Sequence, residues 1–253
     1  MFGKDILTAH VPDLQRGGWL LVGLIVAFFF SVATALLVFV DRLWPAWTGV
    51  GQMVLIFAGF GCTAPFFWRR KTYLALWGKV AYRNAILRHV LPGLPMIFAA
   101  LAHTAYLPGT RLALGWATSI KTILFWYFAV TGLILWGRAV LAFGFDNLAM
   151  LYVYFPDEGR LVDTTVYGIV RHPVYSAVCR IGLALGLWRG TWFSIAFGLF
   201  MPIGLTLWLW LVEERELIER FGQGYRDYRR QVPAFWPRLQ NFGKFLKFLA
   251  IGK

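Results

Sequence analysis

Residues 19–40 and 48–67 are two runs of about 20 positions without a charged side chain. That is the length needed to carry a helix across a bilayer. More such runs come later in the chain. Residues 90–107 include Pro92, Pro95 and His103 but are still long enough, and 122–145 qualify with Arg138 inside them. Residues 174–188 are shorter and contain Arg180; after the turn "WRGTW", residues 192–212 are again of full length. The last two runs read as a helical hairpin whose first arm is short or tilted. The expected fold is an all-α, polytopic membrane helix bundle with about six crossings, five being the alternative. Residues 1–110 would supply the N-terminal helices and a basic surface helix, and 111–253 a core with its cap. No repeat or inverted pair of broken helices of the transporter kind is present.

Charge decides the rest of the class. The formal net charge is +13, which in a soluble protein points to nucleic acid. Here the cations flank apolar runs in a chain that is 59% hydrophobic and 15% charged, and that arrangement fits membrane flanks facing anionic headgroups. With the N-terminus inside, 19 Lys and Arg lie in cytoplasmic segments and 4 outside, nine of the 19 following Val212. Positive-inside orientation then places both termini in the cytoplasm. Tyr73, within the basic stretch 73–89, opens what reads as an amphipathic surface helix. Trp19, Trp68, Trp188 and Trp192 stand at run ends as interfacial anchors. The N-terminal "MFGKDILTAHVPDLQRGG" is polar and lacks a small-residue cleavage site, so the first apolar run is expected to stay as a helix. Cys62 and Cys179 lie in apolar segments with no zinc-ligand spacing; no metal or disulfide framework is expected.

Three polar groups collect at the cytoplasmic ends of the last two runs. The first is "EGRLVDTTVYGIVRHPVY", which ends with Arg171, His172 and Tyr175; the second is Glu213 with Glu214, where apolar sequence stops; the third is "FGQGYRDYRRQVP", with Tyr225 and Tyr228 three apart. If the hairpin packs, the first two meet at one depth. Pro173 suits the first turn of a helix. The last helix is expected to run on through "EERELIERF", with Glu216 and Arg220 placed for an i,i+4 pair. The glycines of "FGQGY" end it, and Pro233 and Pro237 forbid a long helix after them.

"YGIVRHPVY", followed about 40 residues later by "EERELIERFGQGYRDYRRQVPAFWP", resembles the C-terminal signature of the isoprenylcysteine carboxyl methyltransferase and phospholipid methyltransferase superfamily. The resemblance covers about 100 residues, 138–237. Thr165 stands where the family often has glycine, as does Ala177, and Gly168 replaces a commonly polar residue. The resemblance implies S-adenosylmethionine-dependent methylation of a lipid or lipid-linked acceptor, a phospholipid amine or a prenylcysteine carboxylate, reached from the bilayer. It implies that Arg171, His172, Tyr175 and Glu213 hold the cofactor, with Tyr225 and Tyr228 as its lid, and that Glu213, Glu214 and Arg180 serve the chemistry. Which glutamate acts as base is left open. No metal is required, because a sulfonium already activates its methyl group. A nicotinamide-dependent sterol-type reductase and a non-enzymatic membrane scaffold are the competing readings. Outside this set, Arg138 divides between function and snorkelling. His103 and Cys179 read as packing residues, and "GFG" at 59–61 as close helix packing.

Overall fold

The computed structural model describes residues 4–156 and 165–252; of residues 4–6, 15, 16, 145 and 146 only the backbone is described. The described chain is helical throughout, with no strand among the described residues. The principal helices are α1 (Gly18–Leu43), α2 (Thr48–Trp68), α3 (Arg70–Trp77), α4 (Leu91–His103), α5 (Ala117–Phe143), α6 (Pro173–Arg189), α7 (Trp192–Trp208), α8 (Glu214–Phe221), α9 (Gln223–Gln231) and α10 (Phe242–Ile251). Among the described residues, five stretches are long and apolar enough to cross a membrane: Gly18–Leu43, Pro45–Trp68, Arg70–His103, Ala117–Phe143 and Trp192–Phe221. The chain is a multi-pass membrane protein by this architecture. Its outward faces agree, since Leu20, Phe28, Phe57, Ile123 and Phe200 are all largely exposed. Such a surface is stable only in lipid.

The sixth expected crossing is α6. Its 17 residues give a rod of about 25 Å, shorter than the hydrocarbon core, so it is the short arm of the hairpin rather than a sixth full span. It packs tightly against both α5 and α7. The hairpin turn is sharp for two reasons. Gly190 adopts a left-handed conformation (φ 72°), and Thr191 and Ser194 form a reciprocal capping box that starts α7.

The first half of the chain forms its own trio, in which α4 packs against α1 and α2. Where α2 crosses α4, a Cβ on Gly59 would stand 2.6 Å from Ile97 and one on Gly93 would stand 2.8 Å from the Gly59 carbonyl. Only glycine permits that approach, which is how small residues drive helix association in lipid. Gly61, the other glycine of "GFG", faces open space. The basic stretch 73–89 is not one surface helix. It breaks at Gly78 (φ 52°), and Tyr73, Ala81, Tyr82 and Ala85 are buried. One large core spans both halves, with Leu7 and Phe66 packed in the same cluster as Tyr82, Tyr154, Trp208 and Val212. This shared core brings the ends of α2, α3, α6 and α7 together at a single rim.

Candidate active site

Pro173 opens α6, and the backbone of the two residues before it is held by the returning chain. The Arg171 and His172 amides donate to the carbonyls of Pro233 and Ala234, at 2.8 and 3.0 Å. The Arg171 guanidinium donates to the carbonyls of Arg229, at 2.9 Å, and Val232. One turn into α6, the Ser176 hydroxyl donates to the Phe235 carbonyl. The segment after α9 is therefore fastened to the start of α6 mainly through backbone groups, independently of its side-chain identities.

α7 does not run into α8 as a regular helix. Residues Leu209–Glu213 form a π turn, a widening that recurs at functional sites. Glu213 and Glu214 leave it in succession and point to different neighbours. The Glu214 side chain is 4% exposed, and its Oε1 accepts from Arg171 Nη2 at 2.9 Å and lies 3.2 Å from His172 Nε2. Its Oε2 lies 3.1 Å from Arg229 Nε. The Tyr225 hydroxyl donates to Oε1 at 3.4 Å. Burial and the Glu214 charge push the Tyr225 hydroxyl well above its ordinary range, so it stays a donor at any physiological pH. Glu214 is thus fully engaged by protein cations.

Glu213 has different company. Its Oε2 accepts from the Tyr175 hydroxyl at 2.6 Å, and among the described residues the basic side chain within 4 Å of it is His172, whose Nδ1 lies 3.9 Å from Oε1. Its side chain is 15% exposed. Tyr175 is in turn held by the Trp208 indole N–H at 3.3 Å, and Phe60 and Phe67 pack on Trp208. Tyr152 lies within the field of Glu213 and Glu216, and burial and these carboxylates raise its hydroxyl well above its ordinary range. Glu213 is therefore a weakly neutralised carboxylate against an aromatic wall.

A second ionic group continues from it. Glu216 is buried between Arg70 at 3.4 Å and Arg220 at 3.8 Å, and the Arg220 guanidinium lies on the Tyr152 ring, 4.2 Å from its centroid. The expected Glu216–Arg220 pair is present. Arg70, which ties α3 to α8, lies too far away in sequence to be signalled.

Six of the eight expected site residues meet at this rim. Arg171, His172, Tyr175, Glu213, Glu214 and Tyr225 are in mutual contact, while Tyr228 lies beside them and donates from its hydroxyl to the Tyr167 carbonyl at 2.7 Å. Arg180 is placed elsewhere. It is buried two turns down α6, bonded to the Ser176 carbonyl at 3.1 Å and stacked between Trp236 (4.3 Å) and Phe245 (4.9 Å). These contacts include no carboxylate, and their effect is to staple the C-terminal segment to the bundle. Arg138 does the same from α5, donating to the carbonyls of Phe248 and Ala250 at the end of α10. The lead-in residues 158–164 lie outside the described residues. His103 does more than pack, because its Nε2 is 2.8 Å from Asp41 at the far end of the bundle; Cys179 is buried in the core. Sequence reasoning missed Arg229, Trp208, Tyr152 and Arg70. Arg229 alone had a signal, standing four residues after Tyr225 on one helix face.

Against this geometry the known relatives can be weighed. The chain is 39% identical over 77 residues, 29% of its length, to methanethiol S-methyltransferase 2 of Bradyrhizobium diazoefficiens. It is 28% identical over 102 residues to methanethiol S-methyltransferase of Crocosphaera subtropica, and 28% over 88 to that of Pseudomonas deceptionensis. These three relatives are named as methyltransferases. A further match, 32% over 99 residues, is the nickel-cobalt-cadmium resistance protein NccN of Alcaligenes xylosoxydans xylosoxydans. The aligned part spans 27 to 43% of these relatives' lengths. No family model and no solved structure matches.

A weakly neutralised carboxylate among aromatic faces favours a cationic group, and the arginine side of the rim favours an anionic one.

Proposed function

We propose that this chain is an S-adenosylmethionine-dependent membrane methyltransferase whose acceptor is a lipid or lipid-linked nucleophile. The observation that carries the reading is the division of labour between adjacent carboxylates. Glu214 is consumed by Arg171, His172, Arg229 and Tyr225, whereas Glu213 is held by one tyrosine. In this reading Glu214 is a positioning residue that locks the "RHP" loop to α9. Glu213 is the catalytic residue.

S-adenosylmethionine, when bound, supplies an already activated methyl group. What remains for the protein is alignment, water exclusion and charge placement. Arg171, His172 and Tyr225 would hold the cofactor's polar end, with Tyr228 beside them on the covering helix α9. Glu213 would either pair with its amino group or take the proton from an acceptor amine or thiol. Tyr175 orients that carboxylate by donating to Oε2, which leaves Oε1 for the proton. The rim lies where apolar helix gives way to charged helix, so a water-borne cofactor and a bilayer-borne acceptor reach it from different sides. With the cationic segments inside, that rim is cytoplasmic. The site holds Arg180 out of contact with the glutamates, so its share in the chemistry would be indirect, through the C-terminal segment.

The relatives' names favour a second acceptor, a small thiol. Both acceptors use the same donor and the same base. The deciding experiment incubates the purified chain with labelled S-adenosylmethionine and either a lipid extract or methanethiol, and traces label into each. We expect binding of S-adenosylmethionine and of its demethylated product, and label in lipid. Label in thiol alone would move the acceptor to the relatives' class. Stabilisation by a nicotinamide dinucleotide and not by S-adenosylmethionine would return the sterol-type reductase reading, and binding of neither would return the scaffold.

A further inference from the structure

α8 and α9 meet at Gly222 and form a crook, with α9 in contact with Glu214. A cavity of about 310 Å³ opens there, lined by Ile218, Arg226, Arg229 and Arg230. Three guanidinium groups and one apolar side chain are an unusual lining. Their countercharges are few. Arg229 is turned inward to Glu214 at 3.1 Å, and Arg230 has the exposed Asp227 at 3.3 Å. Asp227 is also bonded to Gln223 at 2.9 Å. Arg226 has no carboxylate partner among the described residues. Arg238 adds a fourth guanidinium nearby, bonded to the Arg230 carbonyl at 3.1 Å.

We propose that this cleft binds a phosphate-bearing anion, at a site separate from the methyl-transfer rim. Like-charged guanidiniums gathered in one cleft repel one another, and an anion relieves that repulsion. Planar arginine forks match phosphate oxygens two at a time, which a single carboxylate such as Asp227 does not satisfy. The cleft is lined by Ile218 of α8, within the two turns that succeed the apolar part of Trp192–Phe221, and by three arginines of α9, on the charged side of that boundary. Two sources share this chemistry: the headgroup of an anionic phospholipid and free phosphate. Arg229 joins the cleft to the rim, since the same side chain also holds Glu214. An anion in the cleft is therefore felt at the site without entering it.

The test uses the full chain. Thermal unfolding in neutral detergent is followed with inorganic phosphate against chloride at equal ionic strength, and in nanodiscs of phosphatidylcholine with and without phosphatidylglycerol. The same series is run on Arg226→Gln/Arg230→Gln, which leaves Arg229 intact, and on Lys244→Gln/Lys247→Gln, which removes the same charge from the exposed side of α10. We expect stabilisation of the wild type and of the α10 variant, and affinity lower by about thirtyfold in the cleft variant, since each arginine near an anionic group contributes about fivefold. A response to phosphatidylglycerol alone assigns the lipid headgroup; a response to both assigns the phosphate group itself. Line broadening of the phosphate ³¹P signal by the wild type reports binding even if the cleft variant fails to fold. Equal losses in the cleft and α10 variants would reduce the effect to overall charge and overturn the proposal. So would the absence of any response to either source. So too would a cleft variant that loses S-adenosylmethionine affinity with no response to phosphate, since the arginines would then serve the cofactor's carboxylate.

Discussion

Glu214 and Asp41 are both carboxylates withdrawn from water near the end of a membrane helix, and their surroundings differ in kind. Asp41 stands at the end of α1 and is met by one group, His103, at 2.8 Å. Nearby Gln52 donates to the Ala100 carbonyl at 2.7 Å and to Thr104 at 2.8 Å. Several atoms of this group, Asp41 Oδ1, Gln52 Oε1 and His103 Nδ1 among them, have no hydrogen-bond partner among the described residues. All these residues come from one trio of helices. Glu214, at the opposite end, is met from the "RHP" loop and from α9. Both ends bury charge, but only Glu214 gathers four side chains from two segments and has a second carboxylate, Glu213, under-neutralised beside it. Buried charge alone does not mark a site; convergence with a spare group does.

The hardest test of that contrast is Glu214→Ala. It leaves Arg171 buried without its countercharge and His172 without its partner, and breaking a buried pair costs several kcal/mol. Arg229 is 39% exposed and can turn to water, so we expect the lower part of that range, about 3 kcal/mol by denaturant unfolding in detergent. Cofactor affinity should go with it. His172→Ala should likewise lose cofactor affinity while the protein still inserts. Wild-type affinity in either variant would make this end as structural as the other.

Glu213→Gln separates the neighbouring carboxylates. The amide keeps the shape and an acceptor for Tyr175 but cannot take a proton. We expect methyl transfer to fall by about 10²–10⁴-fold, the usual share of a general base, with the unfolding midpoint nearly unchanged. A fall in stability without a fall in rate would exchange the roles given to Glu213 and Glu214.

At the far end the expected effect is smaller and of one sort. His103→Ala leaves Asp41 without its partner in a buried setting, which costs about 1–3 kcal/mol, and cofactor affinity should hold. A change in cofactor affinity with stability intact would mean that the two ends are coupled through the shared core, and the contrast between them would fail.

How far the sequence foretold this contrast depends on how local each signal is. The spans were legible because apolar length is local, and the short arm was legible because its run was short. The rim was legible because "RHPVY" and "EE" each sit where apolar sequence meets polar. The π turn was not, since nothing in "LWLVE" announces a change of helical phase, and it is that turn which sends the two glutamates to different neighbours. Nor was Arg70, whose partner Glu216 is 146 residues away. Arg180 was misleading for the opposite reason. An arginine inside a membrane run looks functional from its own position, and only the folded C-terminal segment reveals Trp236 and Phe245 on either side of it.

Backbone strain also falls on the site's side of the comparison. Among the described residues the two non-glycine residues with positive φ are Met150 and Thr165, both at 54°, and both lie in the connection between α5 and α6 that leads to the rim. For a β-branched residue this conformation is an outlier; it costs about 1–2 kcal/mol because Cβ crowds the next carbonyl. Thr165 is exposed and occupies the position where the resembling family often carries glycine. Thr165→Gly removes the crowding and returns part of the gain, about 0.5–1 kcal/mol, as extra freedom of the unfolded chain. The net expectation is a protein more stable by somewhat less than about 1 kcal/mol. Thr165→Ala is the control. It keeps the Cβ and so keeps the strain, and it should gain nothing. If alanine stabilises as much as glycine, the threonine side chain rather than the backbone is the burden, and the strain at this end is not conformational.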